Sequence, residues 1–335
     1  MIVDPALRAL RGDAASQRHA HEAMAAAKAG WEKRYEAPLG ELEAYGRGAP
    51  LEDCAQLAAV FDTTGQAAAM ADGLMAAMLG AMREAPLGQV PLQHSYAQGA
   101  CVLQLANSGR AALSLVTMEG DARHPRPPAR SVCFTDNERH EIALKGLAKT
   151  RIVTLHGNPN GAAKLSFEPS DASAGTVTRL IGQRMSRIVD CVPTGHVALR
   201  LTRTAAAPAP TREYRIEDGT LLHQASGCRD ASALAMMVET LGRMKHAPAA
   251  PALEALACDR NPWPDRETAD TVDPALRWQA LRECLALDTA RGFAALCVAA
   301  RNPSDPLQPS AAELHRQLLA SHPQLSALED EPCHA

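Results

Sequence analysis

The residues with the most chemical potential are the histidines of the middle third of the chain: His94, His140, His156, His196 and His223. Imidazoles on separate strands of one sheet can converge on a divalent ion, and neutral imidazole is a common metal ligand. Pro193-Thr194-Gly195-His196 is the sharpest local feature, because a Pro-x-Gly turn delivers a histidine to the head of an apolar strand. His94, His196 and His223 are therefore the candidate metal ligands, and a divalent metal is the candidate cofactor. The simpler alternative for each is an imidazole satisfied by one hydrogen bond. His19 and His21 have metal-like spacing only on a strand; on a helix they point in different directions.

Charge supplies a second candidate. Residues 140–215 hold eleven Lys and Arg against five Asp and Glu, a local +6 in a chain of net charge −4. Arg184, Arg187 and Arg200 are the candidate anion-binding residues, facing a small anion or nucleic acid. Aromatics are only 3% of the chain, and none alternates with these arginines. A single-strand binder would offer stacking rings, so ordinary solvent-facing arginines are the simpler reading.

Several chemistries are excluded by absence of pattern. Gly-x-Gly-x-x-Gly and the phosphate-cradling Gly-x-x-x-x-Gly-Lys-Ser/Thr are missing, as are Gly-x-Ser-x-Gly and His-Glu-x-x-His. The turn at His156–Gly161 lies between two strand-like runs and reads as a hairpin, with no helix to present amides to a phosphate. Nine dispersed cysteines without Cys-x-x-Cys exclude a disulfide scaffold and read as reduced thiols of a cytoplasmic protein. No stretch has the make-up of a secretory signal or a spanning helix. Catalytic residues stay unassigned.

The elements that must position these residues follow from hydrophobic period. Residues 1–88 read as helical, with Asp4-Pro5 as a helix start and Met70, Leu74, Met78 and Met82 on one face of a helix over 66–83. Residues 90–225 read as an antiparallel β domain. Two strand-like runs flank a turn at Asn107–Arg110, and short runs recur at 131–134, 141–145, 151–155, 162–167, 176–181, 187–192, 197–203, 212–216 and 221–224. Val197, Leu199 and Leu201 alternate with Ala198, Arg200 and Thr202, the period of a half-buried strand. Residues 228–335 read as helical again, with Asp230 capping one helix and Asp273-Pro274 opening another. The fold class is α+β: helical N-terminal segment, central antiparallel sandwich or barrel, helical C-terminal segment.

The texture of 90–225 and the Pro193–His196 turn resemble the jelly-roll β domain of the cupin family, where a Pro-x-Gly turn precedes a metal-binding histidine. That resemblance implies a metal held by histidines inside the β domain, although the family's paired His-x-His is absent from 90–225. The leading expectation is an intracellular ligand- or partner-binding protein, regulatory in role, with a small molecule or protein as partner. A metal-dependent, cupin-like enzyme is the alternative. A nucleic-acid-associated protein using the 140–215 arginines is the third reading.

Overall fold

A computed structural model describes Pro5 and residues 12–86, 88–121, 126–157, 163–259 and 272–328. Helices come first, then antiparallel strands, then helices. The chain divides into two compact units, 1–206 with 212–223, and 207–211 with 224–335. Residues 14–84 are not a body apart from the strands: helix and strand side chains fill one continuous core in the first unit. No described helix is long and apolar enough to cross a membrane.

The first unit opens with α1 (Ala14–Arg34), α2 (Glu36–Arg47), α3 (Ala55–Asp62) and α4 (Thr64–Glu84). Asp13 caps α1, its Oδ1 accepting from the amides of Ala15 and Ser16 at 3.0 and 3.1 Å. The cap expected at Asp4 lies outside the described residues. Met70, Leu74 and Met78 are buried on α4 as their spacing predicts, while Met82, at the helix end, is 37% exposed.

The strands are β1 (His94–Ala97), β2 (Ala100–Ser108), β3 (Ala111–Met118), β4 (Ser131–Phe134), β5 (Asn137–His156) and β6 (Lys164–Ser173). After them come β7 (Val177–Ile181), β8 (Met185–Cys191), β9 (His196–Thr204), β10 (Thr211–Arg215) and β11 (Leu221–Ala225). One sheet runs β1-β2-β3-β9-β5-β6, with β7 and β8 also pairing with β5, and a smaller one runs β11-β10-β4. The pairings of the larger sheet and that of β10 with β4 are antiparallel, and the larger sheet does not close into a barrel. The β2–β3 turn is tighter than the sequence suggests. Ser108 pairs with Ala111, leaving Gly109-Arg110 as the loop, and Gly109 takes the positive φ of +54° that its first position favours.

The runs at 141–145 and 151–155 are one strand rather than two. The first half of β5 pairs with β7 and β9, the second half with β6 and β8. The changeover falls at Gly146, just past a register shift between Ala143 and Lys145. Gly146 has φ +82°, and a Cβ there would lie 1.9 Å from the carbonyl oxygen of Gly195. Only glycine fits, so the bend that carries β5 between its two sets of partners is fixed by one residue.

Alternation then sorts side chains to the two faces of the sheet. Leu113, Leu115, Ile142, Leu199 and Leu201 join Leu57, Phe61 and Leu74 of the helices in one buried cluster. Ser114, Arg200 and Glu141 stand side by side in register across β3, β9 and β5. By the two-residue period they face away from the helices. The apolar side of this sheet is turned to α1–α4, and its other side carries charge.

In the second unit, α5 (Arg229–Arg243), α6 (Ala250–Ala257), α7 (Pro274–Leu287), α8 (Thr289–Arg301) and α9 (Gln308–Ser321) pack around Leu253, Leu281, Phe293 and Leu296. Asp273 caps α7 through the amides of Ala275 and Leu276, as its Asp-Pro pair predicts. Asp230 lies inside the first turn of α5, with Cys228 at the cap position, and Met237 is 59% exposed rather than core.

Gly146→Ala is expected to lower unfolding stability by about 3 kcal/mol, since it adds both backbone strain and overlap. Gly40→Ala, in α2 with nothing within 4 Å of the new Cβ, should be neutral or slightly stabilising. Denaturant titration of both variants checks the contrast.

Candidate functional site

The centre of the charged face is Glu141, which is 2% exposed. Arg187 Nη2 of β8 donates to its Oε1, and Arg200 Nε of β9 donates to its Oε2 at 2.7 Å. Burial pushes the Glu141 pKa up, but the two guanidiniums and their hydrogen bonds outweigh it and hold the carboxyl at about 2. Arg139 stands two residues before Glu141 on the same strand, hence on the same face. Burial, reinforced by Arg200 and opposed by Glu141, lowers its pKa to about 10, so it stays a cation at neutral pH.

Arg139 and Arg187 line a cavity of about 960 Å³ whose walls also include Arg126, Arg130, Ser131, Cys133, Asn137, Leu180 and Ser186. Among the described residues four arginines line it and no carboxylate does. Arg126 is paired with Asp121 at 3.1 Å, yet its Nη2 is buried with no acceptor among the described residues. Arg139 Nε is buried without an acceptor in the same way. A buried N–H left unpaired costs about 1–3 kcal/mol. Both of these arginines line the cavity, and each keeps one such donor. The hydroxyls of Ser131 and Ser186 already donate to Glu213 and to the Cys133 carbonyl, so towards the cavity they are acceptors.

The three histidines expected to share a metal are not brought together. His94 begins the edge strand β1 and is exposed, with its Nδ1 3.4 Å from the Leu92 carbonyl. His223 is exposed on β11, in the smaller sheet. His196 alone points inward, 2% exposed, with neither ring nitrogen hydrogen-bonded among the described residues. Burial lowers its pKa, Arg187 and Arg200 adding to the effect and Glu141 opposing it, which favours the neutral ring. Among the described residues no three His, Cys, Asp or Glu side chains are grouped to hold a metal. The divalent metal implied by the cupin resemblance therefore does not fit this site: its one buried imidazole lacks companion donors, the neighbouring carboxylate is spent on two arginines, and the local field repels cations.

The candidate anion-binding residues need a parallel correction. Arg184 is exposed at the end of a short 3-10 turn, 182–184, and does not line the cavity. Arg187 does line it, with a side chain only 4% exposed. Arg200 sits behind it through Glu141. Other arginines of the basic segment are internally neutralised: Arg151 pairs with Asp190, Arg179 and Arg203 with Glu138, and Arg215 with Asp218. Sequence reading missed Arg126, Arg130 and Arg139, which lie before the segment where charge was counted. The available signal was Arg139-His140-Glu141, whose alternation on a strand puts arginine and glutamate on one face.

Glu141→Gln is expected to cost about 3–5 kcal/mol, because it leaves two buried guanidiniums without their counter-charge. The pH dependence has a definite sign. With a folded pKa of about 2 against the ordinary 4.5, Glu141 stabilises fully above the ordinary value and loses that contribution as pH falls towards 2. Chemical unfolding at pH 6, 4 and 3 should show wild type and the variant converging as acidity rises.

No family model matches the chain, and no curated protein sequence matches it. Among solved structures it is similar to cupin-type proteins over about a third of its length. A 7S globulin of Momordica charantia aligns at 10% identity and TM-score 0.26, covering 37% of this chain and 35% of that one. An oxalate decarboxylase of B. subtilis aligns at 12% and 0.24, covering 35% and 28%. The cupin domain of Drosophila melanogaster CENP-C aligns at 8% and 0.26, covering 33% and 74%. The chain spans about a third of the length of the first two. The likeness is one of fold alone, and no property of those proteins transfers with it.

Proposed function

We propose that the β portion of the first unit is a binding module for a small anionic ligand, held in the arginine-lined cavity between β8, β4 and the first half of β5. The observation that carries this reading is the pair of buried guanidinium donors, Arg126 Nη2 and Arg139 Nε, which among the described residues have no acceptor and share a wall without a carboxylate. An oxyanion would accept from both and offset the cost of leaving them unpaired. The cavity volume lies at the upper end of ordinary small-molecule sites. Its wall offers hydroxyls, an asparagine amide and the apolar sides of Leu180 and Ile188, enough to orient a ligand that is polar at one end. Binding rather than catalysis is the reading these residues favour, since among the described residues of the cavity no nucleophile or general base stands free. The one thiol there, Cys133, has its pKa raised by burial and by Glu213.

Thermal unfolding with inorganic phosphate or succinate, at fixed ionic strength and pH 7.5, is the direct test. A ligand at about 100 times its Kd stabilises by about 2.7 kcal/mol, so the melting midpoint should rise by several degrees. Arg139→Gln should abolish the rise. Cys133, exposed on the cavity wall, should be alkylated by iodoacetamide more slowly in the presence of the anion. No shift with any small oxyanion at 10 mM would overturn the proposal.

A further inference from the structure

The charges around the cavity do not cancel, and the size of the remainder says what kind of anion fits. Arg126, Arg130, Arg139 and Arg187 line it, and Arg200 joins them through Glu141. The acids bonded to this group are Asp121 on Arg126, Glu141 on Arg187 and Arg200, and Glu213 on the hydroxyl of Ser131. Among the described residues five guanidiniums stand against three carboxylates, a surplus of two positive charges. Neither the Arg130 nor the Arg139 side chain has an ion pair among the described residues, and the one positive charge left over by Arg187, Arg200 and Glu141 is matched in number by Glu213. Arg130 is exposed at the mouth, and Arg139 is partly buried on the wall with its Nε enclosed.

From this surplus we infer that the ligand is a small dianion, a phosphate monoester or a dicarboxylate, spanning Arg139 on the wall and Arg130 at the mouth. The inference rests on the reading that this cavity binds anions. A monoanion would neutralise only one of the two guanidiniums. A dianion neutralises both. Glu141 sets this preference from inside the protein. Its single charge offsets one of Arg187 and Arg200, so the described residues show a ligand a surplus of two charges rather than three. Glu141 is thus a specificity-determining residue that acts through the arginines it holds.

The experiment is calorimetric titration of the full chain at pH 8 and fixed ionic strength with three probes: methyl phosphate, succinate and acetate. At least one of the two dianions should bind ten-fold or more tighter than acetate, and which one does so separates the phosphate ester from the dicarboxylate. Arg130→Gln, a substitution at an exposed, unpaired position that leaves the fold intact, should cut affinity for the preferred dianion about ten-fold while changing acetate by less than two-fold. Binding of all three probes with equal affinity would overturn the dianion inference and leave the anion site standing. An Arg130→Gln loss equal for dianion and acetate would overturn it as well. Failure of all three probes to bind would overturn the underlying reading of the cavity, and the inference with it.

Discussion

Glu141 has both carboxylate oxygens taken by guanidiniums that arrive from residues 46 and 59 positions further along the chain. One partner stands on β8, which pairs with the second half of β5, and the other on β9, which pairs with the first half. The buried triad therefore ties together strands on either side of the Gly146 bend. A carboxylate enclosed this way is stable only while both cations stay in place, and each cation only while the carboxylate does. Arg187 is held at the cavity wall by this bond, and the charge the cavity presents is what remains after Glu141 has taken its share.

The opposite face of the same sheet handles charge differently. Glu138 binds His140 at 2.9 Å, Arg203 at 2.6 Å and Arg179 at 3.1 Å. Arg203 also donates to the Tyr45 carbonyl at 3.0 Å and lies 4.1 Å above the Tyr45 ring. Here the cation serves α2: it satisfies carbonyls at the helix end and stacks on its tyrosine. Side chains of one type on one strand, Arg200 and Arg203, thus take different roles because three residues along a strand means opposite faces.

Local patterns were legible in the sequence, and long-range pairings were not. The β2–β3 hairpin, the alternation of β9 and the Asp273 cap all depend on neighbours within a few residues. β5 was legible only as two short runs, because the Gly146 bend interrupts the alternation that marks a strand. The inward position of His196 is consistent with its turn-plus-strand context, while His94 and His223 sit on exposed strands that nothing local distinguishes from buried ones. The arginine excess was visible, but which arginines were spent depended on Glu141, Glu138 and Asp190 finding them across the fold. Charge composition counts cations; only topology says which of them face a ligand.

The shared core of helices and sheet also has a consequence for synthesis. The helices over 14–84 bury their apolar faces against Leu105, Leu113, Leu115, Ile142, Leu199 and Leu201. When the last residue of α4 is added to the chain, β9 is still roughly 115 residues from being made, about 10 s at ordinary elongation rates. The β2–β3 hairpin can cover part of the helical surface early, since its contacts are local. The central strands β5 and β9 cannot, because their pairing spans some sixty residues and the second of them comes late. The nascent chain must carry a half-covered apolar face and an open sheet edge through that interval.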